Sequence, residues 1–137
     1  MSKFATALWQ GSGKEGQGNL TTESGALKES KYSSKSRFEK DPGTNPEELI
    51  AAAHAGCFTM KLSFILNAAG FTADEIKTKC EITLADGSIT KSHLTVKAKI
   101  KGIDKEKFDT CAEDAKANCP VSKLLNTAIS MEAILEI

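Results

Sequence analysis

The chain has 137 residues, and 18 Lys plus Arg balance 18 Asp plus Glu, so its formal net charge is zero at pH 7. That length predicts one domain, 1–137, able to bury roughly two thirds of its unfolded surface, and the charge balance gives no field favouring nucleic acid or an acidic membrane surface. No long apolar run precedes a cleavage site at the N-terminus, and the longest apolar stretch is interrupted by Lys61, Ser63 and Asn67, so a soluble, cytoplasmic protein with no membrane partner is expected. In that compartment four cysteines without a CxxC pair are buried fillers or working thiols, not a disulfide framework.

In the first third, Phe4, Thr6 and Leu8 alternate with Ala5, Ala7 and Trp9, GSGKEGQG supplies turn residues, and NLTTES resumes an extended pattern. This reads as a hairpin. The polar SSKSRFEKDPGT that follows places Arg37, the only arginine, on a loop or irregular strand. Asn45 at the N-cap, Pro46 at the first helical position and the acids Glu47 and Glu48 open a helix. It is expected to run to about Ala69 and to end at Gly70 in the left-handed conformation. Its apolar residues, including Leu49, Ala53, Cys57, Met60 and Phe64, spread over more than one face, so a central helix covered by sheet or by a partner is expected.

Two strands are then predicted, Lys79 to Leu84 and Ile89 to Ile100, joined by the hairpin signal Asp86-Gly87. Leu94, Val96, Ala98 and Ile100 alternate with polar residues, giving one buried face. Asp104 caps a helix with the apolar stripe Phe108, Cys111, Ala112 and Ala115. A short helix starts near Cys119-Pro120, and Ala128 to Ile137 forms a closing strand. The order of elements predicts an α+β fold with a mostly antiparallel sheet and a long buried central helix.

Cys57 lies about ten residues into its helix, beyond reach of the N-terminal dipole, and apolar neighbours should raise its pKa. A cation must reverse that for the thiol to react, and Arg37 is the natural candidate: guanidinium keeps its charge on burial and forks bonds to a thiolate and a carboxylate together. Cys119, followed by Pro120, sits at or next to an N-cap, where backbone donors favour a thiolate. Cys80 and Cys111 read as packing cysteines. His54, three residues before Cys57, raises a thiol–imidazole pair or a metal site as options, yet neither it nor His93 belongs to a cluster of ligands at recognisable spacing. A packed histidine is the better account of His54, and no metal or cofactor is implied.

The segments TESGALKE, SRFEKDPGTNPEELIAAAHAGCFTMKLS and ANCPVSKLL resemble the osmotically inducible protein C (OsmC) family, relatives of the organic hydroperoxide resistance proteins. The resemblance implies an OsmC-like fold and a thiol peroxidase, with Cys57 as the peroxidatic thiol and Cys119 as the resolving thiol. It implies that Arg37 and Glu47 complete the site, that organic hydroperoxides are reduced to alcohols through a Cys57 sulfenic acid and a Cys57–Cys119 disulfide, and that an external dithiol, lipoyl-linked in relatives, reopens the disulfide. The alternative is a peroxide sensor or binding protein using the same thiols without efficient turnover. The family also forms intertwined homodimers with sites at the interface. Helix geometry agrees, since Glu47 and Cys57 on one continuous helix are about 15 Å apart along its axis. Glu47 of one chain is therefore expected to orient the Arg37 serving Cys57 of the other, with the chain that supplies Arg37 left open.

Overall fold

The computed structural model describes residues 1–38 and 42–136. The middle of the predicted loop, 39–41, and Ile137 lie outside the described residues. Two compact units, Met1–Leu49 and Ile50–Ile137, are described each by itself.

In the first unit, β1 (Ala5–Gln10) and β2 (Gln17–Thr22) pair antiparallel from Ala5 opposite Thr22 to Gln10 opposite Gln17, as the hairpin pattern requires. A third strand that the sequence reading did not foresee, β3 (Ser30–Tyr32), adds to β2, and its Tyr32 packs edge-on to Trp9 with ring centroids 5.4 Å apart. Arg37 lies on a four-residue helix, α1 (Lys35–Phe38), which corrects the expected loop. The cause is a reciprocal cap: the Ser36 amide donates to Ser33 Oγ at 3.2 Å and the Ser33 amide to Ser36 Oγ at 3.1 Å. This has the form of a capping box with serine in the position usually held by Glu or Gln.

The long helix α2 (Pro46–Ala68) begins in the first unit and ends in the second. Asn45 caps it, accepting from the Glu48 amide at 2.8 Å. At its other end Gly70 has φ +92, the Phe71 amide donates to the Leu66 carbonyl at 2.8 Å and the Gly70 amide to Asn67 at 3.0 Å. That is the Schellman pattern, which only a residue tolerant of positive φ can close without strain.

In the second unit, β4 (Ala73–Ala85) and β5 (Ser88–Ile100) form the expected hairpin, with Asp86 at φ +51 and Gly87 at φ +76 in the turn. β4 starts six residues earlier than predicted, because Ile76 and Thr78 continue the inward alternation of Cys80, Ile82 and Leu84. The chain then forms α3 (Lys105–Asn118), α4 (Pro120–Leu124) and β6 (Ala128–Glu136), and β6 returns parallel to β5. A parallel neighbour needs a crossover, which the two helices supply. Asp104 caps α3 by accepting from the Lys107 amide at 2.7 Å.

The core is built from one stripe of α2 (Phe58, Leu62, Leu66), the inner face of β5 (Leu94, Val96, Ala98, Ile100) and the inner face of α3 (Phe108, Cys111, Ala115). Fully burying one such Leu or Phe stabilises by about 1.5–3 kcal/mol relative to leaving it in water. The expected long buried helix is fully buried on this stripe only, which His54 extends by one turn. Met60 and Phe64 on α2 are 63% and 65% exposed. By length and composition α2 could also cross a membrane, but its buried stripe is spent on the protein core.

Candidate active site

The Cys57 sulfur sits half-buried on α2, and Cys119 is fully buried as the residue that ends α3 and caps α4. Pro120 after the cap has no amide hydrogen to satisfy, so the first turn of α4 has its next two amides free, at Val121 and Ser122. Each is spent on a sulfur. The Ser122 amide donates to Cys119 Sγ at 3.3 Å, and the Val121 amide acts on Cys57. The Cys119 N-cap is as the sequence predicts; the use of the Val121 amide on the other thiol was not foreseen.

Burial pushes the Cys57 thiol above its ordinary range, as expected from its apolar neighbours. The Val121 amide pulls it back, the Cys119 thiol pushes it up both as a hydrogen-bond partner and as a second potential negative charge, and Lys61 draws it down. The structure thus brings Cys57 and Cys119 together, close enough for the Cys57 thiol to feel its neighbour. Of the expected apolar neighbours, Phe58 is buried in the core, whereas Met60, three residues along the helix from Cys57, stays exposed together with Phe64.

Arg37 and Glu47 also meet, in the first unit. The guanidinium forks onto the carboxylate, Nε to Oε2 at 3.0 Å and Nη2 to Oε1 at 3.0 Å. The bidentate geometry fixes the plane of the guanidinium as a single-point lysine contact would not. Asn45 steadies the arrangement, because its Nδ2 donates to the Ser36 carbonyl at 2.8 Å while its Oδ1 caps α2. The Glu48 carboxylate, in contrast, accepts from Thr44 Oγ1 at 3.1 Å.

His54 is fully buried, as a packed histidine should be, but its surroundings are polar. Its Nδ1 lies 2.6 Å from Ser92 Oγ and its Nε2 lies 2.8 Å from Ser122 Oγ. Ser122 Oγ is in turn 3.1 Å from Cys119 Sγ, and Ser92 Oγ is 3.3 Å from Cys80 Sγ. Burial lowers the pKa of His54 and holds the ring neutral. Nothing local in the sequence joins Ser92 or Ser122 to His54, since the partners are 38 and 68 residues away. Cys111 is buried among apolar side chains, as predicted for a packing cysteine. His93 hydrogen-bonds Ser130 at 2.6 Å, and among the described residues no group of three His, Cys, Asp or Glu could hold a metal ion.

Comparison with known proteins identifies the family of the chain. The family described as OsmC-like protein matches residues 38–133. The chain is 45% identical over 134 residues to the peroxiredoxin OsmC of Escherichia coli (strain K12), covering 95% of this chain and 94% of that protein. It is 30% identical to the organic hydroperoxide resistance protein OhrB of Bacillus subtilis (strain 168), over 77% of this chain and 79% of that one. Among solved structures, the OsmC-like protein of Mycoplasma pneumoniae superposes with a TM-score of 0.80 at 9% identity, over 100% of this chain and 99% of that one, a likeness of fold alone. The chain belongs to the OsmC-like protein family.

Proposed function

We propose that this protein is a thiol-dependent peroxidase that reduces organic hydroperoxides to alcohols. The observation that carries the reading is the meeting of Cys57 and Cys119 at the first turn of α4, each served by one of its two free amides. The names of the relatives, a peroxiredoxin and an organic hydroperoxide resistance protein, support it. In the reaction, Cys57 thiolate attacks the terminal peroxide oxygen, the O–O bond breaks, and the departing alkoxide takes a proton to become the alcohol. Cys57 is left as sulfenic acid, which Cys119 converts to a disulfide with loss of water. An external dithiol, of lipoyl-linked type by family resemblance, reopens it by exchange. The thiols and that reductant suffice for the electron balance, without a bound cofactor.

The chain acts as a cytoplasmic homodimer of single-domain subunits in this reading. Burial holds Cys57 protonated, and a guanidinium is what would draw it down and stabilise the leaving alkoxide. Arg37 is forked onto Glu47 of its own chain, and Glu47 is about 15 Å from Cys57 along α2. The Arg37–Glu47 pair of one copy therefore serves Cys57 and Cys119 of the other. Substrate preference follows from Met60, exposed one turn along α2 from Cys57, which at the edge of the interface between copies leaves apolar surface for an alkyl tail, at roughly 0.8 kcal/mol per buried methylene.

The test is peroxide consumption with a dithiol, comparing alkyl hydroperoxides of increasing length with hydrogen peroxide. Cys57→Ser should be inactive, Cys111→Ser near the parent rate, and efficiency should rise with chain length. Equal activity of Cys57→Ser and the parent would sink the assignment. Oxidation that stops after one equivalent, even with dithiol in excess, would favour a sensor using the same thiols.

A further inference from the structure

Five side chains form a continuous buried path between two thiols. It runs from Cys80 Sγ to Ser92 Oγ at 3.3 Å, Ser92 to His54 Nδ1 at 2.6 Å, His54 Nε2 to Ser122 Oγ at 2.8 Å, and Ser122 to Cys119 Sγ at 3.1 Å. His54, Ser92, Ser122 and Cys119 are buried and Cys80 half-buried, and all five lie in one unit. A buried polar chain of this length persists only when its members are satisfied, and no buried side-chain nitrogen or oxygen among the described residues lacks a partner.

Such a chain has a direction. A neutral imidazole carries one N–H, so it donates at one nitrogen and accepts at the other, and each serine hydroxyl has a single hydrogen to give. The Cys119 end already receives the Ser122 amide, which marks it as the accepting terminus. The Cys80 end is a thiol that burial, above all, keeps protonated, so it can donate. Both ends agree on one polarity, in which Cys80 S–H donates to Ser92, Ser92 O–H to His54 Nδ1, His54 Nε2–H to Ser122, and Ser122 O–H to Cys119. The opposite polarity would turn the Ser122 hydrogen towards His54 and leave Cys119 with the amide alone.

We propose that His54 and Ser122 are positioning residues for the resolving thiol, holding the Ser122 hydroxyl as a donor to Cys119, with Cys80 as the far terminus that sets the direction. This role rests on the peroxidase reading above. In the resolving step the Cys119 sulfur attacks the sulfur of Cys57 sulfenic acid, the S–S bond forms and the S–O bond breaks. The Cys119 proton leaves with the hydroxide as water. A donor fixed on Cys119 stabilises the charge that builds on that sulfur as its proton departs.

Two measurements test this. The first needs no peroxide: nitrogen-15 histidine spectra of the reduced protein should show His54 protonated at Nε2, and an Nδ1–H tautomer overturns the proposal. The second follows one equivalent of alkyl hydroperoxide by quenched intact-mass analysis, which separates the Cys57 sulfenic acid from the disulfide. In Ser122→Ala the sulfenic acid should persist, with disulfide closure about tenfold to a hundredfold slower, the loss of one hydrogen bond to a charged group. Ser122→Thr should restore closure because it restores the hydroxyl. Cys80→Ser, which can still donate, should close faster than Cys80→Ala. Closure in Ser122→Ala at the parent rate, or Ser122→Thr as slow as Ser122→Ala with both folded, refutes the role. A parent protein that forms no sulfenic acid refutes the peroxidase reading instead, and the tautomer measurement then still decides the polarity.

Discussion

Cys57, the residue that ionises in the proposed reaction, sits where burial disfavours its anion, and the Cys119 thiol beside it adds to the effect. A raised pKa means that less thiolate is present at neutral pH, so alkylation of Cys57 in the reduced protein should climb with pH beyond the range of an ordinary exposed thiol. Cys119→Ala removes both contributions of that thiol while leaving the Val121 amide and Lys61 in place. The Cys57 titration midpoint, read from the pH dependence of alkylation or from thiolate absorbance, should therefore move down. An unchanged or higher midpoint would show that the two sulfurs do not interact. Of the four proposed site residues, the sequence by itself marks three by kind, a lone arginine, a thiol among apolar residues and a thiol before proline, whereas Glu47 reads locally as a helix-start acid and stands out only through the family resemblance. What the sequence did not disclose is which atoms they use. The Val121 amide on Cys57 depends on α4 meeting α2, and the serines on His54 depend on contacts 38 and 68 residues apart. No window of local sequence carries that information.

The elements set by local chemistry were the ones the sequence disclosed. The Asn45 cap, the Gly70 terminus, the Asp86-Gly87 turn and the Asp104 cap are short-range devices, and all four are present. β3 and the first residues of β4 depend instead on pairing with a neighbour, and their own sequences, Ser30–Tyr32 and Ala73–Thr78, carry weak strand signals. α1 was missed because Ser33 and Ser36 cap each other where a Glu or Gln is the usual partner. Asn45 has two duties, since it caps α2 and ties α1 to it through the Ser36 carbonyl. Asn45→Ala should therefore cost about 1–2 kcal/mol, the upper part of the range for lost caps, as a lower urea midpoint at unchanged slope. It should also loosen the Arg37–Glu47 fork, so peroxidase activity should fall more than stability alone explains under folding conditions. Asn45→Asp, which keeps the cap but loses the donor to Ser36, separates the two duties: stability should largely return and activity should not.

For the whole molecule, apolar surface is left over in both units. Leu8 on β1 and Phe4 just before it, and Met60 and Phe64 on α2, are all more than half exposed. Met60 and Phe64 lie four residues apart, on the same side of the helix as exposed Gly56 and Ala52. The small residues would let another backbone approach closely and the large ones would fill the space beside it. In the homodimer proposed above, a second copy of α2 would cover this stripe, since in a closed twofold assembly one patch meets itself. Phe64→Glu should accordingly yield a monomer by light scattering, with peroxidase activity lost although the Cys57–Cys119 contact lies within one chain. Complementation tests the sharing of the site directly. Cys57→Ser and Glu47→Ala proteins are each expected to be inactive, and they are mixed under conditions in which subunit exchange is shown separately by mass. In a mixed dimer with shared sites, one site carries both defects and the other has Cys57 from one chain and Arg37 with Glu47 from its partner, all intact. Random exchange makes half the dimers mixed with one good site each, so activity should return to roughly a quarter of the parent level. Because Arg37 is forked onto Glu47 of its own chain, Arg37→Ala mixed with Cys57→Ser should recover to the same extent. If the pair serves Cys57 of its own chain, every site in the mixture keeps one defect, and activity stays absent in both mixtures.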